Sequence, residues 1–229
     1  MKRIVVLTGA GISAESGIKT FRDSNGLWEE HRIEDVATPQ AWQRNPKLVT
    51  NFYNQRRKQV MEALPNKAHL ALVELEKQYQ VVVITQNVDD LHERAGSKHI
   101  IHLHGEILKM RSEEDPSMIY QSNGWEMDYE STNDHGHRLR PHIVWFGEMV
   151  PKMDEAIYQT MKADIFLVIG TSLEVYPAAG LIDYTSDSCE KYIVDPKARE
   201  LNHIQNLTVI QNTAGEGVPA LVNKLIKNV

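Results

Sequence analysis

The chain has 229 residues, long enough for one domain of ordinary depth or a large domain carrying a smaller one around a substantial core. A formal net charge of −6 and a pI near 5.9 argue against nucleic acid as the main partner, because the tightest basic cluster is only Arg56, Arg57 and Lys58. The single cysteine, Cys189, excludes an intrachain disulfide and fits a reducing compartment, and no stretch approaches roughly 18 apolar residues, so a cytoplasmic protein away from membranes is expected.

In chain order, the run RIVVLT leads straight into GAGISAESGIKTFRDSNGLW. Gly9, Gly11 and Ala14 have the spacing that lets a backbone approach a pyrophosphate at a helix N-terminus. The acidic residue that grips the adenine ribose in a standard dinucleotide fold does not follow; Phe21, Arg22, Asn25, Gly26 and Trp28 stand there instead, without strand periodicity. Further on, near-continuous apolar runs at Val81 to Ile84, His99 to Leu103, Ile165 to Ile169, Tyr192 to Val194 and Leu207 to Ile210 join Ile4 to Leu7 as strands buried on both faces. Helical periodicity separates many of them, at Lys67 to Gln78, Met153 to Ala163, Pro177 to Tyr184 and Val218 to Lys227. The alternation predicts an α/β fold, a doubly wound, Rossmann-like parallel sheet of about six strands. Residues 1–19, 67–106 and 142–229 form that domain, while 20–66 and 107–141 are insertions, without defensible sheet strands, that build a smaller module.

The first insertion holds a helix capped by Asn45, started by Pro46 and ended near Pro65. Val49, Phe52, Tyr53, Arg56, Val60, Ala63 and Leu64 fall on one stripe. Arg56 at its centre either snorkels out or pairs with a structural carboxylate, or else, with Tyr53, points into a pocket for an anion. The second insertion reads as a hairpin or loop held by Ile119, Tyr120, Trp125 and Tyr129; Asp128, Asp134, His135 and His137 lack the paired spacing of a structural metal site.

Polar stretches follow the strands where open α/β sheets bind ligands: Gly9 to Gly17, TQNVDD from Thr85 to Asp90, and Gly170 to Ser172. Each alone is ordinary turn chemistry, and together they imply a site. His102 and His104 share one side of a strand end, where either can be a satisfied structural histidine or a titrating group.

Here the chain resembles the sirtuins, the NAD-dependent protein lysine deacylases. GAGISAESGI with TFR and GLW, TQNVDDLHERAG, HLHGE, PHIVWFGE and GTSLEVYPAAG occur in the family's order. The resemblance implies that NAD is consumed as a co-substrate. Its phosphates and nicotinamide ribose would be held by Gly9, Ala10, Gly11, Ser13, Ala14, Glu15, Ser16, Gly17, Thr20, Phe21 and Arg22, with Trp28 beside them. Gln86, Asn87, Val88 and Asp89 would line the nicotinamide pocket, and Gly170, Thr171, Ser172, Asp195, Pro196 and Ala214 the adenosine side. His104 would be the general base, with Asn87 as a second catalytic residue and His102 structural. Val144, Trp145, Phe146, Gly147 and Glu148 would pair with the acylated peptide as an added strand. FYNQRR resembles the Tyr-x-x-Arg of sirtuins that prefer acidic acyl groups, which assigns Tyr53 and Arg56 to a succinyl or malonyl carboxylate and leaves acetyl as a second substrate. The family's zinc-binding cysteine pairs are missing from 107–141, so no structural zinc is expected; the acylated lysine of a protein or peptide is the partner and the chain a monomer. A weak NAD- or metabolite-sensing module is the alternative, and a hydride-transferring dehydrogenase a third reading disfavoured by the missing acidic residue.

Overall fold

A computed structural model of the chain describes residues 1–19, 27–28, 31–199, 201 and 203–227, with the backbone alone at 27–28. In chain order the elements are β1 (Arg3–Thr8), β2 (Leu27–Trp28), β3 (His31–Arg32), α1 (Ile33–Val36), α2 (Pro39–Arg44), α3 (Pro46–Glu62), α4 (Lys67–Leu75), β4 (Gln80–Thr85), α5 (Leu91–Ala95), β5 (Ile100–His102), β6 (Gly105–Ser112), β7 (Ile119–Gln121), β8 (Leu139–Ile143), α6 (Met153–Thr160), β9 (Ile165–Ile169), β10 (Glu190–Val194), β11 (Leu207–Ile210) and α7 (Ala214–Lys227). The six expected strands form one parallel sheet in the order β11-β10-β9-β1-β4-β5. Alternation along β1 explains its unbroken apolar run. Ile4 and Val6 face Leu72 and Leu75 of α4 and Val218 and Leu221 of α7, while Val5 and Leu7 face the opposite layer with Ala156 of α6 and Leu181.

From β1 the chain winds to β4 and β5 on one side, then returns to β9, β10 and β11 on the other. The winding therefore reverses between β1 and β9, and the loops leaving these neighbours diverge, opening a crevice at their C-terminal ends.

The smaller module differs from expectation in its strand content. Residues 107–141 supply most of a three-stranded antiparallel sheet, β7-β6-β8, and β2 pairs with β3 through Leu27↔Arg32 and Trp28↔His31. Ile119 and Trp125 do not hold this module, being 46% and 39% exposed. It hangs instead on α3, where Arg57 and Asn54 hydrogen-bond to the main chain at Ile107, Trp125 and Met127. The α3 stripe packs as expected through Ala63, but the helix stops at Glu62, Ala63 turns extended, and Leu64 before Pro65 swings out to 73% exposure. The segment expected as a helix at Pro177 to Tyr184 is a 3₁₀ helix, Ala178–Tyr184.

Candidate active site

The crevice between β1 and β9 is built on missing side chains. A Cβ at Gly11 would lie 2.6 Å from Gly170 Cα, and one at Gly9 2.7 Å from Thr171 Cβ, so the two loops touch backbone to backbone. Two short 3₁₀ turns, Ala10–Ile12 and Ala14–Ser16, follow Gly9. Glu15 fastens this loop to the start of α7, accepting from Gly215 N at 2.6 Å and Thr213 Oγ1 at 3.3 Å, in keeping with the partial positive charge of a helix N-terminus. From the other side Asn66, the cap of α4, donates to Ile12 O and Ser16 Oγ.

Beyond β4 the polar run folds into one network. Asn87 Nδ2 donates to Gly9 O and Ser13 Oγ, each at 3.1 Å, and Ser13 Oγ donates to Asp89 Oδ2 at 3.0 Å. Asp89 also accepts from Leu91 N, and Gln86 Nε2 reaches Thr171 Oγ1 at 3.3 Å. Ser13, Asn87 and Asp89 are all buried, and burial raises the Asp89 carboxyl against the hydrogen bonds that favour its ionised form.

His104 sits at the entry to β6, next to Gly105, whose φ of +87 and crowding against His142 O leave no room for a side chain. Its Nδ1 lies 3.0 Å from Gln86 O. A carbonyl only accepts, so Nδ1 carries the hydrogen and the neutral ring keeps its lone pair at Nε2. Burial pushes the imidazole below its ordinary value, offset in part by that hydrogen bond.

The stretch Val144 to Glu148 leaves β8 and turns at Phe146 and Gly147. Gly147 has φ +90, and Glu148 N donates back to Trp145 O at 3.0 Å. The Glu148 carboxylate, held by Arg140 at 2.7 Å and Arg111 at 3.1 Å, accepts from Trp145 N and curls the chain. With Val144 N bound to His104 O and Phe146 N to Ala37 O, the N–H groups of Val144, Trp145, Phe146 and Glu148 are all used internally. Trp145 is buried beneath the Arg140 guanidinium, 3.3 Å from the ring centre, and its Nε1 donates to Tyr53 OH at 3.0 Å. Burial also lifts the Tyr53 phenol well above its ordinary value, so it stays a neutral hydroxyl.

One cavity of about 470 Å³ runs through these parts. Gly9, Ala10, Gly11, Ser13, Ala14, Glu15, Gln86, Asn87, Val88, Asp89, Gly170, Thr171, Ser172, Asp195, Pro196 and Ala214 line it, as do His104, Tyr53, Arg56 and Val144 to Glu148. Ser16 and Gly17 are not in its wall: Ser16 holds Asn66, and Gly17, at φ 87, ends the second turn. Thr20, Phe21 and Arg22 lie outside the described residues, as does the side chain of Trp28. Lining residues that sequence reasoning missed include Ala37, Val60, Tyr176, Lys197 and Thr213. Val60 carried a signal, since it lies on the α3 stripe one turn beyond Arg56. Among the described residues no group of three or more His, Cys, Asp or Glu is placed to hold a metal, and His137 is engaged with Ser112 and Glu114. The donor set does not fit the thiolate site of structural zinc, because the only cysteine, Cys189, lies buried beside β10.

The Sir2 family model matches residues 9–177. The chain belongs to the Sir2 family. It is 54% identical over 230 residues to an NAD-dependent protein deacylase of Helicobacter pylori, covering 99% of each chain. It is 52% identical over 231 residues to one of Bacteroides thetaiotaomicron, again covering 99% of each. A crystal structure of a Sir2 homologue in complex with NAD superposes with a TM-score of 0.90 at 40% identity, over 99% of this chain and 90% of that one. The Sir2 fold thus puts this chain's glycine crevice, Asn87 network and His104 around one cavity.

Proposed function

We propose that the protein removes acyl groups from lysine side chains with NAD as co-substrate, and that it prefers acidic succinyl and malonyl groups while retaining deacetylation. The general part rests on family membership and on more than 50% identity over the full chain to curated deacylases: the protein is an NAD-dependent protein deacylase. We also take 1–19, 67–106 and 142–229 as its NAD-binding domain and 20–66 with 107–141 as the smaller one.

Gly9 to Glu15 would hold the phosphates, Gly170 to Ser172 with Asp195, Pro196 and Ala214 the adenosine, and Gln86 to Asp89 the nicotinamide. The acyl-lysine carbonyl oxygen attacks the anomeric carbon as nicotinamide leaves, a step that depends on orientation and a dry pocket. His104 Nε2 then takes the proton of a ribose hydroxyl, whose oxygen attacks the imidate carbon. Hydrolysis of the adduct yields free lysine and O-acyl-ADP-ribose. The turn at Val144 to Glu148 would receive the peptide through its carbonyls and Gly147.

The observation that carries the acidic preference is that Tyr53 and Arg56 line the same cavity as His104. The wall there is otherwise apolar at Val60, Trp145 and Ile143, where a carboxylate needs a charge-assisted partner. Arg56→Met keeps the stem's packing and removes the charge. Desuccinylation kcat/KM should fall about 10- to 150-fold, the worth of a hydrogen bond to a charged partner, with deacetylation of the same peptide unchanged or improved. Equal losses on both peptides would make Arg56 a packing residue and withdraw the acidic preference.

A further inference from the structure

His102 and His104 leave β5 two residues apart and take hold of successive carbonyls. His104 Nδ1 meets Gln86 O at 3.0 Å, and His102 Nδ1 meets Asn87 O at 3.2 Å. The far nitrogens differ. His104 lines the cavity and has Nε2 left beyond its Gln86 bond, whereas His102 Nε2 lies 2.6 Å from Glu93 Oε1 on α5. Both partners of His102 are acceptors, so the ring donates from both nitrogens and carries a positive charge.

We propose that His102 is a positioning residue for the nicotinamide pocket: bridging Glu93 to the Asn87 carbonyl, it fixes the segment from Gln86 to Asp89. This rests on the assignment of Gln86 to Asp89 to nicotinamide. The Asn87 side chain is already tied to Gly9 and Ser13, so the clamp on its carbonyl holds the residue at both ends. The titratable groups facing His102 are Glu93 and His92 from α5, Glu106 from β6 and Asp89 from its own wall, with Lys109 beyond Glu93. Burial works against its charge, and Glu93 first, then Glu106, outweigh burial and hold its pKa above the ordinary value. His102 in turn favours the ionised form of Asp89.

The test uses two amides that each mimic one ring nitrogen. His102→Asn places an amide N–H where Nδ1 stood and loses Glu93; His102→Gln reaches Glu93 and loses Asn87 O. The readouts are inhibition by added nicotinamide, exchange of labelled nicotinamide into NAD, and ADP-ribose binding by calorimetry, since ADP-ribose carries no nicotinamide. His102→Gln should weaken nicotinamide inhibition and exchange roughly 10-fold, the loss of one hydrogen bond from a charged donor, while His102→Asn and Glu93→Gln lose only about 2- to 3-fold. ADP-ribose affinity should stay within about twofold in all three. Equal loss of ADP-ribose and nicotinamide binding, or no difference between the Asn and Gln variants, overturns the clamp. Asn87→Ala separates the two readings. If it leaves nicotinamide inhibition intact, the pocket assignment fails; if it abolishes inhibition while His102→Gln is silent, the clamp alone fails.

Discussion

His104 is set for its work by one hydrogen bond. The Gln86 carbonyl fixes the hydrogen on Nδ1, so a lone pair at Nε2 exists without selection among tautomers, and burial disfavours the imidazolium that would remove it. A base must be neutral to act, and a depressed pKa keeps it neutral to lower pH. Activity should therefore persist as pH falls through about 6.5, the ordinary histidine value, and be lost only below it. The acid limb of kcat/KM against pH measures this, and a limb at or above that value would place the base elsewhere. His104→Ala should lower deacylation by about 10²-fold or more with ADP-ribose affinity largely kept, because general base catalysis acts after the co-substrate has docked. Near-normal turnover would place the base outside His104, and not at His102, whose two ring nitrogens both donate.

At the scale of elements, α3 carries two adjacent arginines with separate tasks. Arg56 faces the cavity, whereas Arg57 is fully buried and ties α3 to the small sheet. Its Nε donates to Ile107 O at 2.7 Å, and Nη1 donates to Asn54 Oδ1 and Trp125 O, each at 2.8 Å. Burial alone pulls its pKa down to about 10, so it remains charged, a cation solvated by neutral oxygens. Losing it leaves Ile107 O buried without this donor, while relief of the arginine's own desolvation offsets part of the cost. The net for Arg57→Met is roughly 2–4 kcal/mol, or about 5–15 °C in Tm for a chain of this size. Chelator is expected to leave Tm unchanged, because Arg57 and Asn54 of α3 already tie down the main chain of residues 107–141. One zinc per chain by metal analysis, lost together with stability, would turn Asp128, Asp134, His135 and His137 into a site after all.

On the scale of the whole molecule, legibility follows sequence distance and burial. The six sheet strands were readable because burial on both faces writes an unbroken apolar run, as in β1 and β9. The small sheet was not: β7 alternates exposed and half-buried residues, and its anchor, Arg57, finds partners 50 and 68 residues away. Most site residues were legible as polar loops at strand ends, whereas Ala37 and Thr213 enter the cavity by tertiary placement and carry no local mark. The same distance rule hid a histidine pair behind the site, His69 on α4 and His92 on α5, both fully buried with ring centres 4.9 Å apart. His69 Nδ1 accepts from Asn66 N, closing the cap of α4, and His92 Nε2 donates to Thr8 Oγ1, which donates to Thr85 Oγ1. Burial, with Arg94 adding to it, pushes His69 down to about 4, and burial, then His69 itself, pushes His92 well below 6.5. In the unfolded chain both titrate near the ordinary value, so between pH 6.5 and 4 the unfolded state binds more protons and stability falls as pH falls. For His69 alone that loss is on the order of 3 kcal/mol by pH 4. Urea denaturation at pH 7.5 and pH 5 should show the drop. His69→Gln, which keeps a capping acceptor at the same helix position, should cost about 1 kcal/mol or less at pH 7.5 and make the pH dependence distinctly shallower. An unchanged slope in that variant would move the acid sensitivity to His92 or to His142, whose imidazole burial, and then Arg111, also hold near 4.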